Sequence, residues 1–242
     1  MPANHFGERI AANYDADLEM FDPDVVEPAA QFLADLAGTG SALELGIGTG
    51  RIALPLRRRG VRVHGIELSE AMNEQLRAKP GADDIGVTIG DFSNTRVGER
   101  FRIAYLVFNT IENLTTQGEQ VECFRNVAEH LEPGGCFVIE DTIPPLRRLP
   151  PGETALLWRV SDDRLDFDVF DVARQRLVSH HHAVVDGRRE VSSLPFRYVW
   201  PSELDLMAQL AGMRLRERWA DWDRSPFTSD STKHVSVWEL VG

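Results

Sequence analysis

Residues 43–50, Leu43-Glu44-Leu45-Gly46-Ile47-Gly48-Thr49-Gly50, constrain the fold of this chain more than any other segment. A short apolar stretch from Ser41 to Leu45 has strand character and runs directly into three glycines at alternate positions. A helical pattern follows from Arg51 to Arg59, and Gly60 stops it. Glycines let the backbone approach a ligand closely, and the first turn of a helix offers unpaired N–H groups to an anionic group. The segment therefore predicts a site for a nucleotide-like cofactor. A dinucleotide fingerprint needs G-x-G-x-x-G, and Arg51 stands where its third glycine would be. A P-loop needs a Lys that this loop lacks.

Around this segment, strands and helices alternate. An amphipathic helix is expected over 24–36, interrupted near its start by Pro28. Strands are expected at Val61–Glu67, Val87–Ile89, Phe101–Asn109 and Cys136–Asp141. Helices are expected over roughly 70–78, with Ser69 as N-cap, and from Gln117 to Leu131. Such alternation predicts a parallel sheet covered on both faces. After Pro144 the rhythm changes. RLDFDVFD, RLVSHHHAVVDG and EVSSLPFRYVW are strand patterns with no crossover helix between them, and Asp186-Gly187 has the form of a hairpin turn. An antiparallel excursion is therefore expected over 150–200. A helix capped by Ser202 follows, then two last strands, Met213–Trp222 and His234–Leu240. At 242 residues the chain is expected to form one domain: a cofactor-binding part (1–142), an inserted β cap (143–200) and a C-terminal helix with two strands (201–242).

Charge narrows the partners. Twenty-six basic residues stand against 38 acidic ones, a net charge of -12, of which residues 1–142 carry -11. That balance disfavours nucleic acids and anionic membranes, both of which attract basic surfaces. No apolar run approaches the roughly 18 residues of a membrane span, and the N-terminus lacks a signal-peptide core. Cys123 and Cys136 lie in apolar patterns and are expected to be reduced core thiols of a cytoplasmic protein.

The G-x-G-x-G loop preceded by the acid Glu44 resembles the first motif of the class I S-adenosylmethionine-dependent methyltransferases. Further landmarks follow in that family's order: Glu67 ending HGIELS, the Gly90-Asp91-Phe92 turn, Phe108-Asn109, and Leu131-Glu132-Pro133-Gly134-Gly135 before a strand. The C-terminal FRYVWPSELDLMAQLAGMRLRERW and HVSVWEL resemble small-molecule methyltransferases of bacterial type. The resemblance implies an α/β, Rossmann-like, doubly wound seven-stranded sheet of order 3-2-1-4-5-7-6 with an inserted antiparallel β cap. It also implies S-adenosylmethionine as cofactor, held by Tyr14, Glu44, Gly46, Gly48, Gly50, Arg51, Glu67, Leu68, Met72, Asp91, Phe92 and Asn109. In that reading Glu67 accepts hydrogen bonds from both ribose hydroxyls. Asp91 and Phe92 meet the adenine, and Tyr14 and Arg51 face the methionine carboxylate.

Methyl transfer from a sulfonium is an in-line displacement whose main demands are alignment and exclusion of water. Glu112 and Asp141 follow two central strands and are candidates to orient an acceptor or take its proton. His181 is the candidate base from the cap, because alternation sends it to the face opposite His180 and His182. Adjacent strand histidines cannot converge on a metal, so none is expected. Trp158, Phe167, Phe170, Phe196, Tyr198 and Trp200 are expected to line or pack the cap. The expected partner is a small-molecule methyl acceptor offering O or N; a homodimer is a further option. Two alternatives remain: a cofactor-binding sensor or scaffold without transferase activity, and a nicotinamide-dependent oxidoreductase.

Overall fold

The structure is a computed structural model, and it describes residues 7–15, 21–185 and 187–242. The first two helices are α1 (Glu8–Tyr14) and α2 (Pro23–Ala37). Strand β1 (Ser41–Leu45) opens a βα alternation through α3 (Ala53–Arg58), β2 (Arg62–Glu67), α4 (Glu70–Arg77), β3 (Gly86–Ile89), β4 (Phe101–Leu106), α5 (Gln117–His130) and β5 (Leu131–Thr142). Four strands follow: β6 (Ala155–Val160), β7 (Arg164–Asp171), β8 (Arg176–Val185) and β9 (Arg188–Arg197). Helix α6 (Pro201–Leu210), β10 (Met213–Trp219) and β11 (Lys233–Leu240) complete the chain.

The main sheet has the order β3-β2-β1-β4-β5-β11-β10. Strands β1 to β5 run parallel to one another, and β11 runs antiparallel to both β5 and β10. With β10 and β11 as the sixth and seventh strands of this sheet, the order is the expected 3-2-1-4-5-7-6. Each strand divides its side chains between two cores, as the pleat requires. Ala42, Ile103, Tyr105, Val138 and Val237 pack toward Phe32, Leu33 and Leu56 of α2 and α3. Their neighbours Leu43, Leu45, Ala104, Leu106, Phe137 and Trp238 pack toward Phe124, Leu204 and Met207 of α5 and α6.

Local signals explain most boundaries. Asp22 caps α2 through Asp24 N at 2.9 Å, and Pro23 occupies the first helical position, where its missing N–H costs nothing. Thr116 and Glu119 form a reciprocal capping box on α5. Ser69 accepts from Met72 N at 3.3 Å, as its position predicts.

Several expectations need correction. Helix α2 continues through Pro28, which forfeits one hydrogen bond but sits early enough for the apolar face to hold the helix. Helix α3 begins at Ala53, so Arg51 belongs to the loop. Strand β4 ends at Leu106, because the chain turns at Phe108 and Asn109. Strand β5 starts at Leu131 and absorbs Pro133-Gly134-Gly135 in a register shift against β4. Helix α6 is capped by Trp200 with Pro201 at its first position, not by Ser202. Strand β10 stops at Trp219 rather than Trp222.

Residues 155–197 form a separate antiparallel meander, β6-β7-β8-β9. It contains the expected excursion plus one strand, β6, that the sequence patterns did not single out. The hairpin assigned to Asp186-Gly187 rests partly on Asp186, which lies outside the described residues. No described helix is long and apolar enough to cross a membrane. Cys123 and Cys136 are buried free thiols.

Candidate active site

A cavity of about 800 Å³ opens between the C-terminal ends of β1 to β5 and one face of the cap meander. Of the residues singled out from the sequence, Tyr14, Gly46, Gly48, Glu67, Leu68, Met72, Asp91, Phe92, Asn109, Glu112 and His181 all line it. Glu44, Gly50, Arg51 and Asp141 do not.

The glycine loop is built by backbone geometry that side chains oppose. Gly46 has φ +69° and Gly48 φ +55°, both left-handed. A Cβ on Gly46 would stand 2.9 Å from Thr110 Cγ2, so its missing side chain also admits the turn after β4. Gly50 meets both demands: its φ is +81°, and a Cβ there would collide with Leu76 of α4. Glu67 fixes the loop from the next strand. Its Oε2 accepts from Gly48 N and its Oε1 from Ser69 N, both at 2.8 Å. Burial raises the Glu67 pKa against the pull of these N–H groups. Leu68 N is a third backbone donor to this carboxylate, which offers about four acceptor sites, so it is oriented without being exhausted.

Glu44 lies beneath the loop rather than on the cavity wall. It is 3% exposed and accepts the Tyr105 hydroxyl at 2.9 Å. Burial pushes its pKa to about 8, although Tyr105 and Arg51 favour the charged form. Its place is structural: it ties β1 to β4 directly under the glycines.

Arg51 also departs from expectation. Its guanidinium lies over the Phe108 ring, 3.2 Å from the centroid. Its Nη1 is buried and has no hydrogen-bond partner among the described residues. Burial lowers the Arg51 pKa, opposed by Tyr14, Glu44 and Glu140. An orphaned guanidinium nitrogen among carboxylates and a phenol is a donor suited to an incoming anion.

The wall at the end of β4 is a double left-handed turn, Phe108 (φ +54°) and Asn109 (φ +58°). Two residues of β5 hold it. Glu140 Oε2 accepts from Phe108 N at 3.1 Å, and Asn109 Oδ1 accepts from both Thr142 N and Thr142 Oγ1 at 2.9 Å. Trp222 Nε1 fixes the other Glu140 oxygen at 3.0 Å. Glu140 and Thr142 had no sequence signal; their importance comes from cross-strand contacts.

The two acids proposed for catalysis separate. Glu112, on the one-turn helix Thr110–Asn113, lines the cavity at 9% exposure, and no hydrogen bond or ion pair holds its carboxyl among the described residues. Burial and the charge of Asp168 push its pKa to about 8. Asp141 is fully buried behind it, with both carboxyl oxygens unpartnered among the described residues. Burial and the nearby Glu112 hold the Asp141 carboxyl well above the usual range. Asp141 therefore does not line the cavity, and the charge of Glu112 is what reaches it from there.

On the cap, His181 faces the cavity as alternation requires, while His180 stacks on Phe167 at the opposite face, 4.9 Å between centroids. Nδ1 of His181 lies 3.2 Å from Oδ1 of the fully buried Asp166, whose other oxygen accepts from Arg164 Nε at 2.7 Å. Trp158, Phe170, Phe196 and Tyr198 line the cavity, whereas Phe167 belongs to the other face and Trp200 is not on the wall. Sequence reasoning missed Asp168, Arg159 and Arg164 on the same wall. No described group of His, Cys, Asp or Glu is arranged to hold a metal ion.

Comparison with known proteins agrees with this geometry. Residues 42–135 match the model of a methyltransferase domain. The structure of the CcbJ methyltransferase from Streptomyces caelestis is 38% identical and superimposes with a TM-score of 0.87 over 98% of each chain. The dTDP-4-amino-2,3,4,6-tetradeoxy-D-glucose N,N-dimethyltransferase of Saccharopolyspora spinosa is 36% identical over 71% of this chain and 59% of its own length. The cypemycin N-terminal methyltransferase of a Streptomyces species is 26% identical over 82% of each. The likeness to CcbJ runs the length of the fold described above, and with the glycine loop at its centre the chain belongs to the S-adenosylmethionine-dependent methyltransferases.

Proposed function

We propose that this enzyme methylates a nitrogen of a small-molecule amine in the cavity between the glycine loop and the cap, and that it works in the cytoplasm, where Cys123 and Cys136 remain thiols. The observation that carries the choice of nitrogen is Glu112, a nine-tenths buried carboxyl on the cavity wall with no hydrogen-bond or ion-pair partner among the described residues. Such a group gains most from a ligand that brings a positive charge and an N–H donor. The relatives support the same direction, since one is named for N,N-dimethylation of a dTDP-amino sugar and another for N-terminal methylation of cypemycin.

The residues present fit the cofactor. Glu67 has lone pairs for a ribose diol, while Asp91 and Phe92 stand beyond β3 where an adenine would lie. The Tyr14 hydroxyl offers a donor for a carboxylate, with the Arg51 charge behind the Phe108 ring. Bound S-adenosylmethionine supplies a sulfonium methyl whose leaving group is a neutral thioether. The chain supplies the rest. The double turn at Phe108-Asn109 and the cap's aromatic residues exclude water and fix the acceptor's approach. Glu112 accepts the proton of an incoming ammonium, leaving the nitrogen lone pair free to attack.

The test is transfer of labelled methyl to a panel of aminopyranosides and their hydroxyl isosteres. Label on the amines, absent from the isosteres, is expected. Transfer to hydroxyl groups alone would overturn the nitrogen assignment.

A further inference from the structure

The cap carboxylate Asp168 shares the cavity with Glu112. Strand register places it opposite Leu156 on β6 and Ser179 on β8. The residues at these positions, with His181 and Phe170, make up the cap face that lines the cavity. Trp158 donates its indole N–H to Asp168 Oδ1 at 3.2 Å, which aims the carboxylate from a fixed ring. Glu112 reaches the same space from the body, on a turn against which β9 packs. Neighbouring Asp166 is neutralised by Arg164, but no ion pair engages Asp168 among the described residues.

We propose that Asp168 and Glu112 together form a two-carboxylate subsite that takes the acceptor as its protonated amine, with Asp168 the residue that selects cationic over neutral acceptors. The proposal rests on the amine reading above and adds to it a specificity residue carried by the inserted cap. Two like charges facing one cavity repel, and one cation between them turns both into favourable partners. That arrangement rejects a neutral hydroxyl acceptor, which leaves the carboxylates uncompensated.

The chemistry balances. The ammonium N–H bond breaks, its proton passes to a Glu112 oxygen, and its electron pair stays on nitrogen. That pair forms the new N–C bond as the methyl–sulfur bond breaks, its electrons leaving on sulfur. Positive charge moves from sulfonium to the methylated amine, while Glu112 holds the first proton until release. Asp168 takes no proton in these steps and faces the cationic nitrogen before and after transfer.

Burial and Asp168 from β7 raise the proton affinity of Glu112, and Glu112 in turn raises that of Asp141 on β5. His181 from β8, with Arg159 and Arg164, lines the same cavity. Arg197 of β9 turns away into Gln120, Gln175 and Glu203.

The test compares wild type, Asp168→Asn, Asp168→Glu and Trp158→Phe, using the aminopyranoside that accepts most label. Asp168→Asn is expected to raise KM about tenfold or more with kcat changed little. It also removes a negative charge facing Glu112, so the rising limb of kcat/KM against pH moves to lower pH. The same downward movement is expected in a carboxyl-carbon NMR titration of Glu112 without substrate. Asp168→Glu restores part of the KM, and Trp158→Phe, which loses the aiming N–H, falls between. An unchanged KM and an unmoved Glu112 titration in Asp168→Asn, with amines still methylated by wild type, would overturn the role of Asp168 alone. Methylation of hydroxyl isosteres only would overturn the amine reading first.

Discussion

Gly48 N donates to Glu67 Oε2 at 2.8 Å, so the acid that ends β2 holds the glycine loop that ends β1. One carboxylate thus shapes the loop and faces the cofactor cavity, and the two roles separate by substitution. Glu67→Gln keeps an acceptor for one N–H but loses charge; Glu67→Ala loses both. Glu67→Ala is expected to weaken S-adenosylmethionine binding by roughly 1.5–3 kcal/mol, the worth of hydrogen bonds to a charged group. Glu67→Gln should fall between it and wild type. Calorimetric titration with the cofactor measures this, and an unchanged Kd in Glu67→Ala would refute the ribose role.

Gly46 meets two independent constraints, its φ of +69° and the 2.9 Å approach of Thr110 to any Cβ placed there. Gly46→Ala should cost about 1–2 kcal/mol from the backbone alone. Displacement of Thr110 would then disturb the turn that carries Glu112. Thermal unfolding of Gly46→Ala, Thr110→Ser and the double variant separates these. Because Thr110→Ser deletes the Cγ2 methyl, the double variant should recover the contact part of the loss but not the backbone part.

The central strands, the glycine loop and Glu67 were legible because local chemistry fixes them: alternate glycines can serve a turn, and an acid ending a strand points to the sheet's ligand edge. The cap was less legible. RLDFDVFD contains two alternating faces, with Phe167 on one and Phe170 on the other, so the local pattern does not choose the interior. Packing of Phe170, Leu177 and Tyr198 in one cluster sets the parity instead, and it carries Asp168 inward. Strand β6 was missed because ALLWRV is largely exposed and gains its definition from pairing with β7. The left-handed pair Phe108-Asn109 had no local signal beyond the asparagine, since Glu140 and Thr142 on β5 hold it. Asp141 was correctly placed at a strand end. Its burial behind Glu112 depended on β11 lying across it, with His234 in register.

Glu44 makes stability depend on pH. Its pKa stands at about 8 in the fold and near 4.5 as an unperturbed carboxyl, so the folded chain retains a proton that the unfolded chain releases. This contribution is fully present below pH 4.5 and is lost as pH rises through about 8. The slope between those limits is at most about 1.4 kcal/mol per pH unit. Glu44→Gln keeps an acceptor for Tyr105 without the titration. Its Tm should therefore fall less than that of wild type between pH 6 and 9, and parallel curves would remove Glu44 as a source of the dependence.

Glu112 gives the complementary prediction for activity. As proton acceptor it works only when ionised, and burial together with Asp168 raises its pKa to about 8. The value of kcat/KM should therefore rise with pH and level off above about 8, until deprotonation of the acceptor in solution intervenes. Glu112→Gln should lower kcat by about 10²-fold at pH 7.5 and abolish that limb. An acceptor amine of low pKa, already neutral in solution, should bypass most of the defect, because it brings no proton to be removed. If Glu112→Gln were equally slow on amines of high and low pKa, Glu112 would be positioning the acceptor rather than taking its proton.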